Sequence, residues 1–228
     1  MGIHDGHRKR RREQFLRHGL DAFADHEVLE LLLFYAIGRR DTNPIAHALM
    51  DQFGSLSAVF SASVEELEQV EGMGPHAASL ITLLPAVFRR VRLSAEGQDL
   101  ALTTTEELGA YFLDLFFAQR SEVMYQACLD GKGKVLCCRR LSEGGAAAAE
   151  CSVRRVVEIA LRCNAVGVVL AHNHPSGVAL PSREDFVATS QVAEALAAIG
   201  VQLVDHIIVA DQDFVSMAEN GSIPRRRG

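Results

Sequence analysis

Val166-Gly167-Val168-Val169-Leu170-Ala171-His172-Asn173-His174-Pro175-Ser176-Gly177, followed after a short gap by Pro181-Ser182-Arg183-Glu184-Asp185, is the stretch that decides how this 228-residue chain folds. Val166 to Leu170 is an apolar, β-branched run, the mark of a strand buried on both faces. His172 and His174 follow two residues apart, and side chains on an extended chain alternate, so both imidazoles point to one face. Pro175 and Gly177 then turn the chain. A helix is expected from about Arg183 to Ile199, stopping at Gly200, with Asp185 in its first turn. Two imidazole nitrogens and one carboxylate can hold a metal and leave a fourth tetrahedral position for water, the pattern of a catalytic zinc site. Ser182 and Asp185 equally fit a capping box, with serine at N-cap and an acid at N3, which needs no metal.

Outward from this stretch, the second half of the chain alternates strands and helices. Thr104 and Glu107 form a capping box ahead of a helix carrying Leu108, Phe112 and Leu115. Glu122 to Leu129 reads as a strand, and Asp130-Gly131-Lys132-Gly133 as a hairpin turn into Lys134–Cys138. Ser152 to Cys163 suits a helix ending at Asn164, and Val201–Val209 and Phe214–Ser216 look like closing strands. Residues 13–92 instead read as helix after helix. Asp25 can cap a helix through Leu29–Leu33 that ends near Gly38, and Asn43-Pro44 starts another that Gly54 stops. Ser63 and Glu66 box a short helix, Val64–Val70, and an alanine- and leucine-rich helix runs on to about Arg92. Leu93–Leu102 is polar and aperiodic, the best linker. Strands alternating with helices behind an all-helical region predict an α/β or α+β sheet domain following a helical one.

Composition narrows the classes. A hydrophobic content of 48% and a charged content of 23% are those of a globular protein, not of a disordered, collagenous or coiled-coil chain. The longest apolar run, Val28–Ile37, is broken by Glu30 and too short to cross a bilayer, and the N-terminus lacks the apolar core of a signal peptide. A cytoplasmic protein without membrane contact is expected. The 23 basic and 29 acidic residues sum to −6, but eight of the basic ones sit at Arg8–Arg12 and Arg225–Arg227. Without them 15 basic residues face 29 acidic ones, a body of −14 with two basic ends. Such ends are either solvated tails or phosphate contacts. The five cysteines, Cys128, Cys137, Cys138, Cys151 and Cys163, contain no C-x-x-C pair, which removes zinc ribbons and thioredoxin-like sites and leaves them as small buried hydrophobes.

The spacing His172-x-His174, seven residues, Ser182, two residues, Asp185 resembles the signature of the JAMM (MPN-domain) metalloproteases, and the longer HNHPSG…PS..D form is similar to their bacterial RadC branch. Gly6-His7-Arg8, Asn43-Pro44-Ile45-Ala46, Arg154, Ala160-Leu161 and Asp205-His206-Ile207-Ile208 extend the likeness over nearly the whole chain. The resemblance implies an α+β protein. Its all-helical helix-hairpin-helix region (1–92) would precede a JAMM/MPN mixed-sheet domain of cytidine-deaminase-like type (103–228). It further implies Zn2+ held by His172, His174 and Asp185, with an upstream glutamate as general base. Glu122, ahead of Leu129-Asp130-Gly131, matches that glutamate better than Glu143, Glu150 or Glu158. Ser182 would orient the site and help stabilise an oxyanion. His206 lies outside the signature and reads as a core or ligand-supporting residue. The chain departs from the branch at Val153, where a proline commonly stands, and in the bland Gly144–Ala149, which puts substrate contacts there in doubt.

Val70-Glu71-Gly72-Met73-Gly74-Pro75-His76-Ala77-Ala78 resembles a helix-hairpin-helix, whose Gly-x-Gly turn exposes backbone N–H groups to phosphate. Glu71 and His76 flank it here in place of the usual lysine or arginine, so Gly72 and Gly74 are either non-specific DNA contacts or parts of a packing hairpin. The functional expectation is a zinc-dependent hydrolase of amide or isopeptide bonds, RadC-like and linked by that name to DNA repair. Its partner would be a protein or peptide, with DNA held through the hairpin and basic ends. The alternatives are a non-catalytic DNA-binding or adaptor protein with a structural metal, and a metal-dependent nuclease.

Overall fold

A computed structural model describes residues 3–94, 100–143, 152–175 and 177–223. The chain divides into two compact units, Met1–Phe88 and Arg89–Gly228. The first is all helical: α1 (Ile3–His18), α2 (Asp25–Leu33), α3 (Asn43–Phe53), α4 (Leu56–Ser61), α5 (Val64–Glu68) and most of α6 (Pro75–Ser94). Their apolar stripes meet in one core around Leu29, Leu33, Ile45, Leu49, Leu67 and Ile81. Ser63 and Glu66 cap α5 reciprocally at 3.2 and 2.7 Å, and Gly54, at φ 78°, closes α3. At α2 the cap position belongs to Ala24 rather than Asp25, and the Glu27 carboxylate satisfies the Ala24 N–H at 3.1 Å.

The basic run Arg8–Arg12 is part of α1 and not a free tail. Arg8 is buried and donates to the carbonyls of Phe34, Ile37 and Arg40, which follow the end of α2. Arg11 pairs with Glu27 and with the fully buried Glu30, which also meets His7 at 2.8 Å. The end of a helix presents unpaired carbonyls and negative potential, so a guanidinium is the natural partner. The other basic run, Arg225–Arg227, lies outside the described residues.

In the second unit five strands form one mixed sheet in the order β2-β1-β3-β4-β5. The strands are β1 (Val123–Leu129), β2 (Val135–Glu143), β3 (Gly167–Asn173), β4 (Gln202–Ala210) and β5 (Asp213–Ser216). β3 pairs antiparallel with β1 and parallel with β4, the crossover being α9 (Arg183–Ala198). One face packs on α7 (Thr105–Phe116), where Phe112 and Leu115 meet Tyr125, Val169 and Ile207. The other packs on α8 (Val153–Arg162) and α9, where Val156, Val192 and Leu196 meet Met124, Leu170 and Ile208. β3 is therefore buried at every residue, as its apolar sequence requires. A Cβ on Gly109 in α7 would lie 2.2 Å from the Phe214 ring, so only glycine admits β5 this close. Leu93–Leu102, read as a linker, ends instead in the sheet: Leu102 N donates to Gly133 O at 2.8 Å and Val135 N to Leu100 O at 2.8 Å. Residues 95–99 lie outside the described part.

Candidate metal centre

The central strand carries His172 to the end of the sheet, where the residue is completely buried. His174 N donates to Val209 O at 2.7 Å, which keeps the chain extended one residue beyond β3. His172 and His174 consequently share a face, and their Nε2 atoms stand 2.8 Å apart. Gly177 turns the chain back at φ 81°, with Asp211 Oδ2 only 3.0 Å from where a Cβ would be. The chain then enters α9 through Ser182. The capping box expected there forms: Ser182 N and Oγ both donate to Asp185 Oδ2, at 2.7 and 2.6 Å, and Asp185 N donates back to Ser182 Oγ at 3.2 Å. Asp185, 1% exposed, directs Oδ1 at His172 Nε2, 3.1 Å away. Capping and site geometry are thus one arrangement, because hydrogen bonds to Oδ2 leave Oδ1 to face His172, while Oδ2 itself lies 3.7 Å from His174 Nε2.

The protons of this cluster can be traced from the acceptors around it. A backbone carbonyl only accepts, so His174 Nδ1, 3.0 Å from Val178 O, carries hydrogen, and in the tautomer with a single ring proton Nε2 is the lone pair. Thr189 Oγ1 donates its one proton to Asp185 O at 2.5 Å and so accepts from His206 Nδ1 at 2.7 Å. His206 Nε2 then accepts from His172 Nδ1 at 2.9 Å, which leaves His172 Nε2 as a second bare lone pair. Burial pushes His172 down to about 4 against the raising influence of the Asp185 carboxylate, with His174 adding a smaller lowering. Burial likewise holds His206 well below the ordinary imidazole range, so both rings are neutral near pH 7. Two lone pairs and a carboxylate oxygen converge with no hydrogen between them, and the three ligand atoms lie within 4.8 Å of one another. Such a donor set repels itself unless a cation occupies it, and imidazole nitrogens with one carboxylate suit zinc.

Glu122 lies one residue before β1. The pairing of Met124 with His172, carried two residues outward, sets Glu122 across from His174. The buried Asn173 holds this segment on both sides: its Oδ1 accepts from Val123 N at 2.8 Å and its Nδ2 donates to Ser121 O at 3.0 Å. The competing Glu143 and Glu158 are drawn into ion pairs with Arg140 and Arg154, and Glu150 lies outside the described residues, as does Gly144–Ala149. In the helical unit Gly72 has φ 92°, and a Cβ there would meet Ile45 at 2.9 Å, so close packing on α3 accounts for that glycine, while Gly74 faces open space.

Asn173, Thr189 and His206 surround the site through contacts that span 17 to 52 residues of chain. His206 already reads from the sequence as a core or ligand-supporting residue; of the other two only Thr189 left a local trace, since it follows Asp185 by one helical turn. A second group also escaped the sequence: Cys128, Cys137 and Cys163 come from β1, β2 and the end of α8 and bring their sulfurs within 4.8 Å of one another. Their convergence depends on strand pairing, not on C-x-x-C spacing.

Fold and site together define the class: an α+β JAB/MPN-type domain behind a helical region, with a candidate metal centre at the end of its central strand. Residues 102–222 match the RadC-like JAB domain and residues 5–79 the UPF0758 N-terminal domain. The chain is 33% identical to UPF0758 protein FN0909 of Fusobacterium nucleatum subsp. nucleatum, over 96% of this chain and 97% of the relative. A UPF0758 protein of Janthinobacterium sp. (strain Marseille) and UPF0758 protein SPO0054 of Ruegeria pomeroyi are each 33% identical over 94% of this chain and 96% of the relative. The chain belongs to the family of RadC-like JAB-domain proteins. Among the described residues no helix is long and apolar enough to cross a membrane.

Proposed function

We propose that this protein is a zinc-dependent hydrolase of an amide or isopeptide bond. The observation that carries the reading is the convergence of His172 Nε2 and His174 Nε2 with Asp185 Oδ1 beside them, because with both rings neutral the surrounding carbonyl and hydroxyl acceptors leave two lone pairs facing each other. His172, His174 and Asp185 would hold the ion. When bound, zinc supplies Lewis acidity, lowering the pKa of water toward neutrality and polarising a carbonyl oxygen. Glu122 takes the proton of the attacking water, whose oxygen joins the carbonyl carbon, and delivers it to the leaving nitrogen as the C–N bond breaks. Ser182, its hydroxyl proton committed to Asp185, is a positioning residue for that carboxylate. His206 and Thr189 fix the tautomer of His172.

The test is elemental analysis of the purified chain with side-by-side peptide, isopeptide and nucleic-acid assays of wild type, Glu122→Gln and Asp185→Ala. The reading expects one zinc per chain, lost in Asp185→Ala and retained in Glu122→Gln, with hydrolysis of an amide substrate abolished in both. Absence of stoichiometric zinc removes it. Zinc with cleavage of phosphodiesters alone, or with DNA binding indifferent to Glu122→Gln, moves the function to a nuclease or an adaptor.

A further inference from the structure

The body of this chain is acidic, yet β2 and α8 together build a strongly basic cavity. It has a volume of about 570 Å³ and is lined, among the described residues, by Arg139, Arg140, Arg154, Arg155 and Arg162 with Glu158 as the one acid. The size is that of a small-ligand site. Arg155, Ile159 and Arg162 follow one another at the spacing of one helix face and extend the basic surface about 10 Å along α8. That is wider than one anionic group.

The guanidiniums differ in what holds them. Arg155 donates to the carbonyls of Leu141 and Arg140, both at 3.2 Å. Carbonyls orient a guanidinium without neutralising it, and Arg155 forms no ion pair with a described residue. Arg162 is exposed and forms no ion pair with a described residue. Arg140 and Arg154 are paired, but with the exposed carboxylates of Glu143 and Glu158, contacts of small net strength. A doubly charged oxyanion with three acceptor oxygens can displace such singly charged partners, whereas another carboxylate only exchanges like for like. All five cations are arginine and none is lysine, which favours the forked, bidentate recognition of phosphate. Among the described lining residues the floor contributes Ile159 and Cys163 and no aromatic ring, so no aromatic platform for a base is present there.

We propose that the β2–α8 cavity binds a ligand carrying at least two phosphate groups, recognised through those groups and not through bases. The source is either a small bisphosphorylated metabolite or the sugar-phosphate backbone of a nucleic acid. The site shares no residue with the metal centre, so it stands or falls separately from the hydrolase reading. It also puts any nucleic-acid contact at a place other than the Gly72–Gly74 hairpin and the basic ends.

The full-length protein as purified is titrated at 50 and 200 mM NaCl with two probes, a fluorescent twelve-residue oligo-dT and adenosine 3′,5′-bisphosphate. Binding of the oligonucleotide identifies the backbone as the source, and binding of the bisphosphate alone identifies the small ligand; either supports the site. In Arg139→Ala/Arg162→Ala and in Arg162→Glu, both changes at exposed residues, affinity should fall about tenfold or more. For the oligonucleotide, the salt slope should decrease by about 0.7 per lost contact. Bound ligand should slow iodoacetamide labelling of Cys163, mapped by peptide mass, because that thiol lines the cavity. The proposal is overturned if neither probe binds at 50 mM NaCl, if both folded variants bind as wild type, or if pentaglutamate competes as well as the phosphate probes.

Discussion

Replacing Asn173 by alanine tests how the glutamate-bearing segment is held beside the metal site. The side chain makes two hydrogen bonds, accepting from Val123 N at 2.8 Å and donating to Ser121 O at 3.0 Å, and these grip the residues on either side of Glu122. Val123 is 1% exposed, so without Asn173 its N–H is buried and unpaired, at a cost of about 1–3 kcal/mol. The Ser121 carbonyl, half-buried, adds about 0.5–1.5 kcal/mol, for a total of about 1.5–4.5 kcal/mol. At about 2–4 °C per kcal/mol for a protein of this size, the melting temperature should fall by roughly 3–18 °C. The three ligand side chains keep their own contacts, so zinc affinity should change by less than about tenfold, below what loss of a ligand-supporting group costs. Calorimetry and competition against a chromophoric chelator measure the two quantities, and amide hydrolysis should fall further than either implies. A melting temperature within about 1 °C of wild type would refute the hydrogen-bond reasoning. A much larger loss of zinc would show that Asn173 supports the ligands and not Glu122.

Thr189→Val removes the acceptor that fixes the His206–His172 tautomers, and chelator competition should show zinc affinity weakened by about 10- to 100-fold in a folded protein. The His172 pKa, lowered by burial to about 4, lies below its unfolded value near 6.5. The unfolded chain therefore binds more protons between those values, and urea midpoints of the zinc-free protein should fall as pH drops from 6.5 to 4. Gly109→Ala places a Cβ 2.2 Å from the Phe214 ring. It should cost about 1–3 kcal/mol despite alanine's better helix propensity, and a double-mutant cycle with Phe214→Leu should recover part of that loss. Arg8→Ala strips a guanidinium from three carbonyls beyond α2 and should destabilise the helical unit by about 1.5–3 kcal/mol, read by helical circular dichroism during thermal unfolding.

What could be read directly from the chain was local. The period-two spacing of His172 and His174 and the three-residue spacing of Ser182 and Asp185 both lie within one strand end and one helix turn, where backbone geometry alone relates the side chains. The buried character of β3 followed from its own apolar run, and the caps at Ser63, Thr104 and Ser182 from their partners three residues on. The α+β order, helical first and sheet second, followed from the change of periodicity along the chain. The basic run Arg8–Arg12 misled because Arg8 and Arg11 are held by Glu27, Glu30 and the carbonyls beyond α2, which lie 16 or more residues away.

The rest depended on which strands became neighbours. Placing β3 between β1 and β4 brings Asn173 to Ser121 and His206 to His172, and through Thr189 it decides which ring nitrogens carry protons. The same packing of α8 on the sheet gathers five arginines from two segments into one cavity of an acidic protein. Sequence determined which donors were available and on which local face, because short-range backbone periodicity fixes that. Tertiary structure decided their protonation, their partners and their charge environment, because those are set by groups far along the chain that only the folded sheet brings within hydrogen-bonding distance.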